Sequence, residues 1–125
     1  PWSLCQGLSM PLNHVALTVS NRERSAAFYA EHFGMTLRVH DDDHLLILGS
    51  DDGSLLALTD GTPVADALPR TNHFGFQLAD SDAVHAARRR FQTADVPEVE
   101  WEEHGGFVRV QVTDPDGYRV DAYCF

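Results

Sequence analysis

The sequence predicts an α+β fold of two βαβββ modules. Three observations carry this expectation. The segments LNHVALTVS (residues 12–20) and TNHFGFQLA (71–79) both start near an Asn-His pair and alternate with period two. Each is followed by one helix-like segment and then by three strand-like ones. Gly53 and Gly117 stand in matching turns before the last strand of each half.

In the first strand, His14, Ala16 and Thr18 share one face, and Val15, Leu17 and Val19 share the other. SNRERSAAFYAEHFG then reads as a helix. Ser20 or Asn21 caps its start, Gly34 ends it, and Ala27, Phe28 and Phe33 supply much of its apolar contact. MTLRVHD, HLLILGS and SLLALTD read as strands. The turns between them use Asp as a local acceptor and Gly53 for positive φ. GTPVADALPR is a linker, broken by Pro63 and Pro69. The second half repeats the order. NHFGFQLA is a strand, and DSDAVHAARRRFQTAD is a helix capped by Asp80 or Ser81. VPEVEWEEH, GFVRVQVTD and YRVDAYCF are strands, with DPDG (114–117) as the turn before the last. This gives one domain over residues 11–125, with modules at about 11–60 and 70–125. Residues 1–10 read as an N-terminal extension, from an alternative start or an expression remnant.

Composition narrows the function. A chain of 125 residues with 43% apolar content can bury a core without staples. A net charge of -10 argues against nucleic acid, and the one basic cluster, Arg88 to Arg90, falls on a helix as a solvated face. No apolar run approaches the roughly 20 residues that cross a bilayer, so no membrane span is expected. There is no signal-peptide pattern. Cys5 and Cys124 form neither a knuckle nor a redox pair, which points to a reduced, cytoplasmic setting.

The repeat also locates a site. His73 follows His14 by 59 positions, and Gly117 follows Gly53 by 64. The second offset pairs Asp121 with Ala57. Of the four equivalent positions, His14, Ala57, His73 and Asp121, three carry metal-ligand side chains. Two imidazoles and one carboxylate around an open cleft can hold Fe(II), Mn(II) or Zn(II), leaving other positions for water or substrate. Alternation turns Asp121 away from the helix-packed side. It also places Arg109 and Gln111 on the cleft face, where Arg109 orients an anionic substrate or forms a surface ion pair. Tyr123 is a candidate proton donor or oxyanion partner, or an interface or core tyrosine. His44 is a candidate acid or base on a strand, or a turn residue after DDD. Trp101 and Phe107 stack on an aromatic ligand or pack in the core.

Together, LNHVALTVSNRERSAAFYAEHFG, TNHFGFQLAD and DPDGYRVDAYCF resemble the vicinal oxygen chelate superfamily over about residues 11–125. That group includes glyoxalase I, extradiol dioxygenases, fosfomycin-modifying enzymes, methylmalonyl-CoA epimerase and bleomycin-resistance proteins. The resemblance implies the glyoxalase/bleomycin resistance/dioxygenase-like fold, in which the two modules form an open, incomplete barrel around a cleft, and a homodimer. It also implies a metal-dependent lyase, dioxygenase or transferase acting on a small oxygen-chelating substrate, with His14, His73 and Asp121 as ligands. Two positions depart from the pattern. Asp121 falls where the family usually has Glu, and Ala57 falls where glyoxalase I carries an additional Glu. The alternative is a metal-free, drug-sequestering protein of the bleomycin-resistance type, which an acidic chain suits when the drug is a cation.

Overall fold

In each half of the chain a parallel strand pair is closed by a helix and extended by a two-strand meander. The computed structural model describes residues 10–125; residues 1–9 of the expected extension, with Cys5, lie outside the described residues. The first half comprises β1 (His14–Val19), α1 (Arg22–Phe33), β2 (Leu37–Asp41), β3 (Leu46–Gly49) and β4 (Leu55–Asp60). A single 3-10 turn, Ala65–Ala67, lies in the linker. The second half comprises β5 (Phe74–Gln77), α2 (Ser81–Thr93), β6 (Glu98–His104), β7 (Phe107–Thr113) and β8 (Arg119–Cys124).

The strands form two separate four-stranded sheets, ordered β1-β4-β3-β2 and β5-β8-β7-β6. Their registers reproduce the repeat. Ala16 faces Ala57 across the parallel β1/β4 pair, and Gly75 faces Asp121 across the parallel β5/β8 pair. His14 and His73 each stand two residues before those positions. Both meanders carry an irregularity at the same place, between Arg38 and His40 and between Glu98 and Glu100. Such matched bulges mark one duplicated unit.

Local signals set the helices. The Asn21 side chain accepts from the Arg24 N–H, and Gly34 closes α1 in the left-handed region at φ 72°. Asp80 accepts from the Ala83 N–H at the start of α2. The buried face of α1 differs from the expected one: Ser25, Ala26 and Tyr29 are buried, while Ala27 is exposed. Spacing at i, i+3 and i+4 selects Ser25, Ala26 and Tyr29 for one face, and Ala27 lies about 100° round the helix from Ala26. Phe28 and Phe33 do pack against the core.

The DPDG turn ties the modules together. The Tyr29 hydroxyl donates to Asp114 at 2.7 Å, and Asp114 also accepts from the N–H groups of Asp116 and Tyr118. Asp116 accepts from the Ser20 N–H and hydroxyl and from Arg24. The Tyr118 hydroxyl donates to the Thr18 carbonyl and accepts from the Val64 N–H. Phe33 stacks on Phe76 at 4.5 Å, joining α1 to β5. The buried bonds of Asp114 and the part-buried ones of Tyr118 supply direction where apolar packing alone would not fix one arrangement. Among the described residues, no helix is long and apolar enough to cross a membrane.

Candidate active site

Alternation along β7 and β8 sorts the second sheet into two faces. Val108, Val110, Val112, Val120, Ala122 and Cys124 are buried in the core. Arg109, Gln111, Asp121 and Tyr123 turn the other way, into a cleft of about 1010 Å³. The antiparallel β6/β7 register places Glu100 beside Gln111 and Glu102 beside Arg109 on that same face.

Asp121 is the centre of the arrangement. Its Oδ1 accepts from the Gln111 amide at 2.9 Å and from Arg109 Nη1 at 3.2 Å. Its Oδ2 faces His73 Nε2 at 3.2 Å. The other nitrogen of His73, Nδ1, lies 2.8 Å from the Thr71 carbonyl. A carbonyl only accepts, so Nδ1 carries the proton and Nε2 of the neutral ring presents its lone pair. Nε2 and Oδ2 can be joined by a second proton, on Nε2, or by a cation held between them. Their separation matches that of two ligands on one ion. Neighbouring ligands of one ion, each at about 2.0–2.2 Å, are separated by roughly 3 Å, and a carbonyl behind the imidazole is the usual support for a ligating ring.

Arg109 is engaged on three sides. It donates to Glu100 at 2.6 Å, to Glu102 and to Asp121. Burial works against its charge, but Glu102, Glu100 and Asp121 outweigh that and raise the guanidinium's pKa. In return, hydrogen bonds from Arg109 hold the carboxyls of Glu100 and Glu102 below their ordinary range. Of the two readings of Arg109, the ion pair is the one the geometry displays: its fork is filled by Glu100 and Glu102 from the neighbouring strand and by Asp121.

The remaining expected site residues divide. Tyr123 lines the cleft, its ring edge-on to Phe125 at 5.6 Å. Gly75 makes room for it: a Cβ there would come within 3.2 Å of the Tyr123 ring and 3.0 Å of Asp121 Cβ. Phe107 lines the cleft, whereas Trp101 is stacked beneath Arg88 at 4.0 Å. His44 stands in the turn before β3, its N–H bonded to Asp42, and does not line the cleft. Three consecutive aspartates form acceptor-rich turn chemistry there, and β3 starts two residues later. His14 is exposed and lines the cleft from β1, but it belongs to the other sheet. Among the described residues, no group of three His, Cys, Asp or Glu side chains is placed to hold a metal. The expected His-His-Asp set is thus not assembled within one chain, which brings together two of its members.

Glu100 and Glu102 were not singled out by sequence reasoning. The available signal was strand alternation: 100 and 102 fall on the same face of β6, opposite 111 and 109.

The sequence profile of the Glyoxalase/Bleomycin resistance protein/Dioxygenase superfamily matches residues 11–122. No curated protein matches the sequence. Among solved structures, the chain is similar to a lactoylglutathione lyase from Agrobacterium tumefaciens (21% identity, covering 93% of this chain and 94% of that one, TM-score 0.73). It is also similar to a possible glyoxalase from Bacillus cereus (22%, 93% and 100%, TM-score 0.77). A third is a mutant of the fosfomycin resistance protein FosX from Listeria monocytogenes, complexed with Mn(II) and 1S,2S-dihydroxypropylphosphonic acid (16%, 92% and 90%, TM-score 0.77). At these identities the structural likeness establishes the fold.

Proposed function

The chain belongs to the Glyoxalase/Bleomycin resistance protein/Dioxygenase superfamily, and on that premise we propose that it is a divalent-metal-dependent enzyme acting on a small oxygen-chelating substrate. In this reading His73 and Asp121 of one chain and His14 of a second copy hold Fe(II), Mn(II) or Zn(II). The observation that carries it is the His73–Asp121 pair, two acceptor atoms 3.2 Å apart with each remaining polar atom already bonded. A bound divalent ion would polarise the substrate's oxygens and stabilise negative charge developing on them.

The chain's own residues have separate tasks. Thr71 fixes the tautomer of His73, while Gln111 and Arg109 hold Oδ1 of Asp121 so that Oδ2 stays available. Tyr123, on the cleft face one alternation beyond Asp121, is the proton donor to the substrate. The homodimer follows from His14. It is the repeat-equivalent of His73 and lies exposed on a sheet that offers no carboxylate at its own matching position, Ala57. Supplied by a second chain, it completes a three-donor set.

Metal-free sequestration of a cationic drug is favoured by one observation, the excess of carboxylates over arginines along the cleft. One experiment separates the readings. Protein purified without chelator is analysed for metal beside His14→Ala and His73→Ala variants, alone and mixed after reversible unfolding. About one ion per chain, lost in each variant and regained at one ion per mixed dimer, supports the shared site. No ion in the unmodified protein, and none taken up from Fe(II), Mn(II) or Zn(II), sinks the metal reading. Uptake without rescue on mixing sinks the shared site.

A further inference from the structure

The charges along the cleft limit what it can receive. Two cationic side chains line it, Arg70 and Arg109, against four carboxylates, Asp52, Glu100, Glu102 and Asp121. The inner cation is committed: Arg109 is shared by Glu100, Glu102 and Asp121. Arg70 donates to Glu100 at 2.8 Å from the rim, where its side chain is 70% exposed. The Arg109 side chain is only 12% exposed, so its charge is spent on partners that are themselves partly withdrawn from water. A divalent ion beside Asp121 would balance the two excess negative charges and leave no positive charge over. A phosphonate or phosphate beside Asp121 would then have to take Arg109 from its carboxylates, leaving a partly buried carboxylate unpaired, or settle for the exposed Arg70 at the rim.

The same face has an apolar direction. Along β8 the cleft-facing positions run from Asp121 to Tyr123, and two residues of strand advance by about 6.8 Å. The Tyr123 ring lies over Gly75, directly beside Asp121. Phe107 lies within 6.0 Å of Phe125, the next cleft-lining residue beyond Tyr123. A ligand whose oxygens sit at Asp121 thus meets flat apolar surface over its next ring's length, and aromatic faces favour a planar group there.

We infer that the substrate is an oxygen chelator whose remainder is uncharged, planar and apolar, and that phosphonates and phosphates bind more weakly. This rests on the metal-dependent reading of the site. It differs from the phosphonic acid that occupies the similar FosX structure.

The test uses the full chain and three probes sharing one chelating group: acetohydroxamate, benzohydroxamate and phosphonoacetohydroxamate. Mn(II) uptake is measured first, then each probe is titrated calorimetrically into the Mn(II)-loaded protein. Benzohydroxamate binds at least tenfold more tightly than acetohydroxamate, and phosphonoacetohydroxamate binds more weakly than either. Tyr123→Ala brings benzohydroxamate to within about threefold of acetohydroxamate. Glu100→Gln with Glu102→Gln frees the Arg109 fork and raises the affinity for phosphonoacetohydroxamate at least tenfold. Absence of Mn(II) uptake removes the metal reading and this inference with it. Uptake followed by a preference of the unmodified protein for the phosphonate overturns the inference alone, as does equal binding of the aryl and methyl probes.

Discussion

Replacing Asp121 by Glu, the residue usual at this position in the family, is expected to damage the site. The added methylene carries the carboxylate outward by about 1.3 Å. Its bonds to Gln111 at 2.9 Å and to Arg109 at 3.2 Å then stretch past good N–H···O geometry. Gln111 is 2% exposed, so its amide N–H has no water to turn to. A stranded buried donor costs roughly 1–3 kcal/mol. Arg109 keeps Glu100 and Glu102 and loses less. The expected outcome is a loss of about 2 kcal/mol, read as a fall in Tm of roughly 6–10 °C for a domain of this size. Mn(II) affinity falls at least tenfold, because the carboxylate is no longer held with one oxygen free. Thermal unfolding and calorimetric Mn(II) titration are the assays. An Asp121→Glu protein that melts with the unmodified one and binds Mn(II) equally or more tightly would refute the idea that Arg109 and Gln111 set the length of this side chain.

Other perturbations test the frame around the site. Tyr29→Phe removes the hydroxyl bonded to buried Asp114 and is expected to cost roughly 1.5–3 kcal/mol by denaturant titration; a change under 0.5 kcal/mol would show that the bond does not tie the modules. Burial raises the Asp114 carboxyl's pKa against the lowering effect of Tyr29 and two backbone N–H groups. The folded chain therefore holds that proton more tightly than the unfolded one, and this contribution to stability is lost as pH rises from the ordinary carboxyl range through the raised value. Asp114→Asn removes it, so the variant gains on the unmodified protein between pH 3 and 7; a constant difference across that range contradicts the sign. Gly75→Val puts a side chain where even a Cβ meets Asp121 at 3.0 Å and the Tyr123 ring at 3.2 Å. It is expected to cost about 1–3 kcal/mol and to weaken Mn(II) binding, and unchanged binding would place Gly75 outside the site.

Much of this was legible in the sequence because strand and turn chemistry are local. Alternation placed Asp121, Arg109, Gln111 and Tyr123 on one face. The two turn glycines fixed the offset that pairs Asp121 with Ala57, and the β1/β4 and β5/β8 registers agree with it. The caps are short-range signals: Gly34 was read directly, and Asn21 and Asp80 were each one of two adjacent candidates. The illegible parts depend on approach between distant segments. Asp114 and Asp116 look like ordinary turn residues, yet they bond to Tyr29, Ser20 and Arg24, 85 to 96 positions away. The fate of Arg109 depended on which of many carboxylates lay across the β6/β7 pair, and a bulge at Glu98–Glu100 shifts that register. Whether His14 meets His73 is a question of how two sheets are set against each other, which period and spacing do not encode.

The two modules have diverged in complementary ways, and that asymmetry bears on how the site is built. In the second sheet the open face is polar and fully bonded: Asp121, Gln111, Arg109, Glu100 and Glu102 satisfy one another and leave one carboxylate oxygen and one imidazole nitrogen free. In the first sheet the position equivalent to Asp121 is Ala57, paired with Ala16 as Asp121 is with Gly75, and the large exposed hydrophobics include Leu37 and Val39 of β2. This face is largely apolar, and His14 is the imidazole it brings to the cleft. A cleft needs one face of each kind, and each chain provides one of each. Self-complementary pairing of two chains about a twofold axis would match them without remainder, giving two equivalent sites and one ion per chain. Two identical halves would instead yield either two largely apolar faces or two donor networks facing one another, with buried carboxylates opposed. On the proposed shared site, the alanine at position 57 is what would leave each cleft with one carboxylate ligand and one ion.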